Sequence, residues 1–233
     1  MKINAPISVV IPIYNEAENI NWLFKELYSS LKRNFAEFEI IFVDDGSSDN
    51  SLSEIQSISS QYSEVKQVAL KVNQGQSKSM LKGIAFSSYN VVAMMDGDGQ
   101  YDPEDIPRLF NKLNPPYRLI SGKRDNRKDS FLYRGSSFIG NYVIAWFFGL
   151  KKFDLGCGLK IGYKEDLERI PYFKHVHRYF QIIYIHSGLQ VADIEINHRE
   201  RIKGSSKYSI LKVFNILPRL LWLKLKNKRL TNN

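Results

Sequence analysis

Cysteine is almost missing from this sequence. Among 233 residues Cys157 stands alone, so no disulfide can close within the chain and a packed core must hold the fold. Set between Gly156 and Gly158, it reads as a small buried residue in a protein of a reducing compartment, not as a nucleophile. No apolar run reaches the roughly 18 residues needed to cross a bilayer. The nearest approach, 138–150, is too short and carries Asn141. The opening MKINAPISVVIPIYNE lacks the apolar stretch and cleavage pattern of a secretory signal. Neither G-x-G-x-x-G nor G-x-x-x-x-G-K-[ST] occurs, which argues against a dinucleotide oxidoreductase and a P-loop nucleotidase. His175, His177 and His186 have no metal-ligand spacing with Cys157, so a zinc site is not expected.

What is present is an ordinary globular composition with an uneven charge. Hydrophobic residues make up 43% and charged residues 24%, which excludes a disordered or fibrous chain. Residues 1–116 carry a net charge of −5, whereas 117–233 carry +14. The basic half suits an anionic partner, whether nucleic acid, anionic lipid or a phosphorylated substrate.

Short apolar runs at 7–11, 39–43, 66–70 and 91–95 read as buried strands, and helical periodicities fall between them. Ile20, Leu23, Phe24, Leu27 and Leu31 mark the first helix, for which Asn15 and Glu18 resemble a capping box. Leu52, Ile55 and Ile58 mark a second, and Met80, Leu81 and Ile84 a third. A fourth starts at Asp102-Pro103-Glu104-Asp105, with Ile106, Leu109, Phe110 and Leu113 as its core face. Further strands are expected at 118–122, 159–163 and 190–197, with a helix over 179–187 closed by Gly188. This alternation predicts an α/β, Rossmann-like, mainly parallel sheet flanked by helices. Ligands of such sheets bind beyond the carboxyl ends of the strands. Polar clusters lie there: Tyr14-Asn15-Glu16, Asp44-Asp45-Gly46-Ser47, residues 73–76, and Asp96-Gly97-Asp98-Gly99-Gln100.

Asp96 and Asp98, one residue apart among glycines, can converge on a hard divalent cation, with Gln100 as a neutral oxygen donor. A plain charged turn is the competing reading. The Asp44-Asp45 cluster can accept from a base or ribose, or form an Asx-turn that starts the next helix.

In order along the chain, Val10-Ile11-Pro12-Ile13-Tyr14-Asn15-Glu16, Val43-Asp44-Asp45-Gly46-Ser47, Asn73-Gln74-Gly75 and Met95-Asp96-Gly97-Asp98-Gly99-Gln100 resemble family 2 glycosyltransferases, especially dolichyl- or polyprenyl-phosphate sugar transferases such as dolichyl-phosphate mannose synthase. The likeness continues through Asp154-Leu155-Gly156-Cys157-Gly158 and His198-Arg199-Glu200-Arg201 to Gly204-Ser205-Ser206-Lys207-Tyr208. It implies the A-type glycosyltransferase fold over 1–208, a UDP- or GDP-sugar donor, Mg²⁺ or Mn²⁺, and inversion at the anomeric carbon. By the same resemblance Pro12, Tyr14, Glu16 and Asp45 hold the nucleoside, and Asp96, Asp98 and Gln100 hold the metal. Arg201 and Lys207 close over the donor phosphates, and Arg124 and Arg134 receive an acceptor phosphate. Asp154 is either a catalytic base or a cap on its glycine-rich turn. His198 orients its loop. Gly97 and Gly99 replace the family's frequent Ala and Leu, and Gln76 stands where a basic residue is common.

Three other readings compete. One is a same-fold enzyme acting on a saccharide hydroxyl in cell-surface polysaccharide synthesis. A nucleotidyltransferase would share the acidic motifs but release pyrophosphate. A nucleic-acid binder would explain the basic half yet leave the acidic clusters, which repel phosphate, without a role; nucleic acid is therefore not the expected partner. The segment 209–233 mixes Leu, Phe and Trp with cations and suits the headgroup layer of an anionic membrane, placing the enzyme peripherally on the cytoplasmic face. A soluble helix packed on the domain is the alternative for that segment.

Overall fold

A computed structural model describes residues 2–124 and 154–199. Strands β1 (Ile7–Ile13), β2 (Phe38–Asp44), β3 (Val65–Ala69) and β4 (Val91–Met94) alternate with helices α1 (Ala17–Asn34), α2 (Ser51–Gln61) and α3 (Gln76–Phe86). Helix α4 (Asp105–Lys112) leads into β5 (Tyr117–Arg124). After residue 153 come β6 (Lys160–Tyr163), the single turn α5 (Lys164–Leu167), a 3₁₀ turn at Val176–Arg178, α6 (Phe180–His186) and β7 (Gln190–Ile196). The expected aromatic helix near Trp146, together with Arg134, Arg201, Lys207 and the 209–233 segment, lies outside the described residues. Among those described, no helix is long and apolar enough to cross a membrane.

The strands form one sheet of seven in the order β3-β2-β1-β4-β6-β5-β7. Pairing is parallel from β3 through β4 and again between β5 and β7. Only β6 runs against its neighbours, inserted between β4 and β5. The α/β expectation of a mainly parallel sheet therefore holds, with one antiparallel strand that the apolar pattern does not reveal.

Successive residues of a strand face opposite ways, and the core divides accordingly. Val9, Ile11, Ile40, Phe42 and Ala93 pack with Ile20, Leu23, Ile55 and Ile106 of α1, α2 and α4. Val10, Ile41, Val43, Val92 and Met94 meet Met80 and Ile84 of α3 and Phe180 and Tyr184 of α6. Each side chain of this size contributes about 1.5–3 kcal/mol on full burial. Helix α1 forms because its apolar residues fall on one stripe; all five expected positions are buried.

The capping box expected at Asn15 is not formed. Asn15 adopts φ 53°, and its side-chain carbonyl accepts the Ser48 N–H at 2.8 Å instead. The residue before α1 is Glu16, which caps with no side-chain hydrogen bond. At the fourth helix the Asp102 carboxylate does accept the Glu104 N–H at 3.0 Å, although regular helix starts only at Asp105.

Because β2 and β4 lie on either side of β1, the connections leave β1 and β4 in opposite senses. This switch point opens a crevice at the carboxyl ends of the strands. Residues 12–16, 44–48, 73–76 and 96–100 all emerge at that edge.

Candidate active site

One cleft occupies the crevice. From β1 it takes Pro12, Tyr14 and Glu16; from β2, Asp45; from the loop before α3, Asn73, Gly75 and Gln76; from β4, Asp96, Gly97 and Asp98. Six of the seven donor-side residues expected on the described chain thus share one wall with Asp98: Pro12, Tyr14, Glu16, Asp45, Asp96 and Asp98 itself. Gln100 does not. Its side-chain amide points at the Arg199 carbonyl, 3.5 Å away, and its own carbonyl accepts the Arg199 N–H at 2.8 Å.

Asp45 is 2% exposed, and its two oxygens accept the Gln74 and Gly75 N–H groups, each at 2.8 Å. It therefore shapes the far lip of the cleft as well as lining it. Beyond that lip, Gln76 Nε2 donates to Asp96 Oδ1 at 2.5 Å. An amide here satisfies the carboxylate where a basic side chain would add charge.

Burial and the neighbouring Asp98 push the Asp96 carboxyl up to about 6, although Lys160, Arg178 and Arg124 pull it down. Two carboxylates held this close favour a shared proton or a shared cation. Among the described residues no three His, Cys, Asp or Glu side chains converge. The chain thus offers a pair of hard oxygen ligands whose remaining partners would be substrate phosphate and water, a donor set that fits Mg²⁺ or Mn²⁺. Gly99, at φ 73°, follows Asp98 in a left-handed turn packed so closely on Trp22 that a Cβ would lie 2.5 Å from its ring.

A second cluster adjoins the first. Arg124, at the end of β5, donates from Nε to Asp154 Oδ2 at 2.7 Å and from Nη2 to Oδ1 at 2.9 Å. Their side chains are 12% and 8% exposed. Both Asp154 oxygens are thus engaged by the residue expected to bind acceptor phosphate. Asp154 Oδ1 also accepts the Gly156 N–H at 3.2 Å, so the reading as a cap on the glycine-rich turn describes what it does here.

Lys160 was not distinguishable by sequence as part of this site. It is 3% exposed, donates to the Cys157 carbonyl, and sits in the field of Asp96 and Asp154. Burial pulls its ammonium below the usual lysine value. The available signal was alternation: Leu159 and Ile161 face one core, so Lys160 must face the other. Arg178, in the 3₁₀ turn, likewise bears on Asp96. That turn is tied to α3 by a Ser77 Oγ–His177 Nδ1 hydrogen bond of 2.7 Å. Cys157 is buried as expected, and burial raises its thiol to about 11, which leaves it unreactive. His198 packs its ring edge-on against Tyr101, with which it forms an antiparallel bridge.

A switch-point cleft walled by two neighbouring carboxylates, without a phosphate-binding glycine fingerprint, fits the A-type glycosyltransferase fold. The chain belongs to glycosyl transferase family 2, whose profile matches residues 8–170. It is 33% identical over 221 residues to the undecaprenyl-phosphate 4-deoxy-4-formamido-L-arabinose transferase of Proteus mirabilis (strain HI4320), covering 94% of this chain and 68% of that protein. To the enzyme of that name from Serratia proteamaculans (strain 568) it is 34% identical over 212 residues, 91% of this chain and 65% of the relative. The chain thus spans about two thirds of the length of these relatives. Its fold matches that of Mycobacterium tuberculosis glucosyl-3-phosphoglycerate synthase in complex with Mn²⁺, UDP and glucosyl-3-phosphoglycerate. The TM-score is 0.70 at 18% identity, over 96% of this chain and 80% of the other. It also matches mannosyltransferase PcManGT of Pyrobaculum calidifontis in complex with GDP-Man and Mn²⁺, with a TM-score of 0.66 at 15% identity, over 88% and 59% of the two chains.

Proposed function

We propose that the protein transfers a sugar from a nucleoside-diphosphate sugar to a polyprenyl phosphate at a membrane surface, with inversion at the sugar C1. Pro12, Tyr14, Glu16 and Asp45 form the wall for the nucleoside. Asp96 and Asp98 hold a divalent cation, which when bound offsets the charge that builds on the departing diphosphate. Arg201 and Lys207 meet the donor phosphates, and Arg124 with Arg134 meets the acceptor phosphate. In the reaction an acceptor phosphate oxygen bonds to C1 as the bond from C1 to the nucleoside diphosphate breaks.

The observation that carries a phosphate acceptor is the Arg124–Asp154 pair. A saccharide hydroxyl needs a base to take its proton, and Asp154, the candidate for that base, has both oxygens engaged by Arg124. A phosphate monoester, with a second pKa of about 6, is largely dianionic at neutral pH. It needs alignment and no base. The kinship to undecaprenyl-phosphate sugar transferases supports the lipid form of that acceptor. The basic segment 209–233 then rests on the anionic cytoplasmic leaflet.

The test is a panel of radiolabelled UDP- and GDP-sugars incubated with the protein, a short polyprenyl phosphate and Mn²⁺. Label is expected in the lipid fraction, with free nucleoside diphosphate as co-product. Label in an oligosaccharide acceptor alone would overturn the lipid-phosphate reading, and release of pyrophosphate would make the protein a nucleotidyltransferase.

A further inference from the structure

The Arg124–Asp154 pair has a particular orientation. Asp154 takes the Nε and Nη2 edge of the guanidinium side-on, and its Oδ2 also lies 3.3 Å from the Arg124 N–H. The turn after Asp154 is fixed in the same network. Gly156 and Cys157 N–H groups return to Asp154, the Gly158 N–H donates to Tyr101 at 2.6 Å, and Lys160 holds the Cys157 carbonyl. Gly156 closes the arrangement from above: a Cβ there would lie 2.8 Å from Arg124 Nη2. The guanidinium is thus gripped along one edge and capped by a residue without a side chain. Its other edge, running to Nη1, is turned away from Asp154. Arginine recognises phosphate through such an edge, with two parallel N–H groups.

We infer that Asp154 takes no proton in the reaction and is a positioning residue, acting through Arg124 to present the other edge of the guanidinium to the acceptor phosphate. Gly156 serves the same end by leaving room for that rotamer. This inference rests on the reading of Arg124 as an acceptor-phosphate ligand.

Binding separates the two roles of Asp154, because a base is not needed to hold the acceptor and a positioner is. The full chain is titrated calorimetrically with farnesyl phosphate, and separately with UDP and with GDP in the presence of Mn²⁺; thermal melts report the fold. Asp154→Asn is expected to weaken farnesyl phosphate about tenfold, a typical coupling between groups in contact, and to leave nucleotide binding unchanged. In an Arg124→Gln background the same substitution is expected to add nothing, since its effect runs through the missing guanidinium. Gly156→Ala gives an independent arm. Its φ is outside the left-handed region, so alanine is acceptable to the backbone, and the flexible arginine tip is what must move. It too is expected to weaken farnesyl phosphate while nucleotide binding and melting temperature hold, and it decides the matter if Asp154→Asn fails to fold.

If Asp154→Asn binds farnesyl phosphate as tightly as wild type but loses turnover, Asp154 is a base and the inference is wrong. A full further loss in the Arg124→Gln background would mean that Asp154 acts independently of Arg124, and would equally overturn it. Normal farnesyl phosphate binding by Gly156→Ala would do the same. Should wild type ignore farnesyl phosphate, or Arg124→Gln bind it normally, the reading of Arg124 itself falls, and this inference with it.

Discussion

Two residues at the cleft have almost no freedom to change, for different reasons. In the proposed cation site Asp98 acts with Asp96, and replacing Asp98 by Asn keeps the shape while removing one of two charges. Asp98→Asn is expected to fold normally and lose nearly all turnover; wild-type turnover that persists in excess EDTA would refute the metal assignment. Gly158 is constrained by space. A Cβ there would meet Asp96 Oδ2 at 2.1 Å, closer than any real contact. Gly158→Ala must therefore displace the carboxylate, at a cost of about 1–3 kcal/mol in overpacking. Calorimetry should show Mn²⁺-dependent nucleotide binding lost in this variant beyond what its lower melting temperature explains; unchanged binding would place Asp96 outside the cation site. At this scale the acidic pair lining the cleft was legible, since Asp, Gly and a preceding strand form a local pattern. Lys160 and Arg178 were not. A cation reads as surface unless its element's facing is known: Lys160 nears Asp96 only because β6 enters the sheet beside β4, and Arg178 only because its 3₁₀ turn docks on α3.

Elements are joined by buried polar contacts as much as by apolar ones. Glu39 on β2 is 3% exposed and accepts from Ser8 Oγ on β1 at 2.6 Å, from the Ser88 N–H beyond α3 at 2.5 Å, and from Lys66 on β3 at 2.6 Å. Burial alone would raise its carboxyl, but the hydrogen bonds from Lys66, Ser8 and Ser88 outweigh it and hold the group below the ordinary glutamate value of 4.5. A carboxyl depressed in the folded state adds stability above its unfolded value, and that stability is lost as pH falls through the folded value. Glu39→Gln is expected to cost about 1–3 kcal/mol at neutral pH, the range for disrupting a buried charged hydrogen bond. Melting curves should then converge with wild type as pH drops below 4.5. A gap that stays constant across that range would mean the carboxylate charge is not what stabilises the three strands. The strands themselves were readable because β-branched runs such as Ile7-Ser8-Val9-Val10-Ile11 are bounded by polar turns. Helix starts were less so: Asn15 had the composition of a cap, but its side chain is drawn across to Ser48 by the approach of the β2 loop, a tertiary contact that local spacing does not encode.

For the whole molecule the governing feature is the division of charge. The first half, net −5, lines the acidic cleft, where the proposed diphosphate would settle only with a cation; the second half, net +14, supplies Arg124 and the segment 209–233. If the acceptor is a lipid phosphate, the cleft must be held against a bilayer while the donor arrives from water. The mixed sequence after Tyr208 has the chemistry for that task. Trp222 and the neighbouring leucines supply apolar insertion, and Lys224, Lys226, Lys228 and Arg229 supply cations, each adding about 1 kcal/mol of attraction near an anionic leaflet. Replacing those four cations with Gln is expected to weaken binding to vesicles containing anionic phospholipid. High salt should weaken wild type in the same way, because exposed charges are screened. Turnover on a short, water-soluble polyprenyl phosphate should survive the replacement, since none of the four is among the residues proposed to bind donor or acceptor. Sedimentation with vesicles and a soluble-acceptor assay on the same preparation separate the two effects. Normal vesicle binding by the variant, or indifference of wild type to anionic lipid, would make the segment a packing element of the domain, and an acceptor presented in solution would then fit the enzyme better than one presented by a membrane.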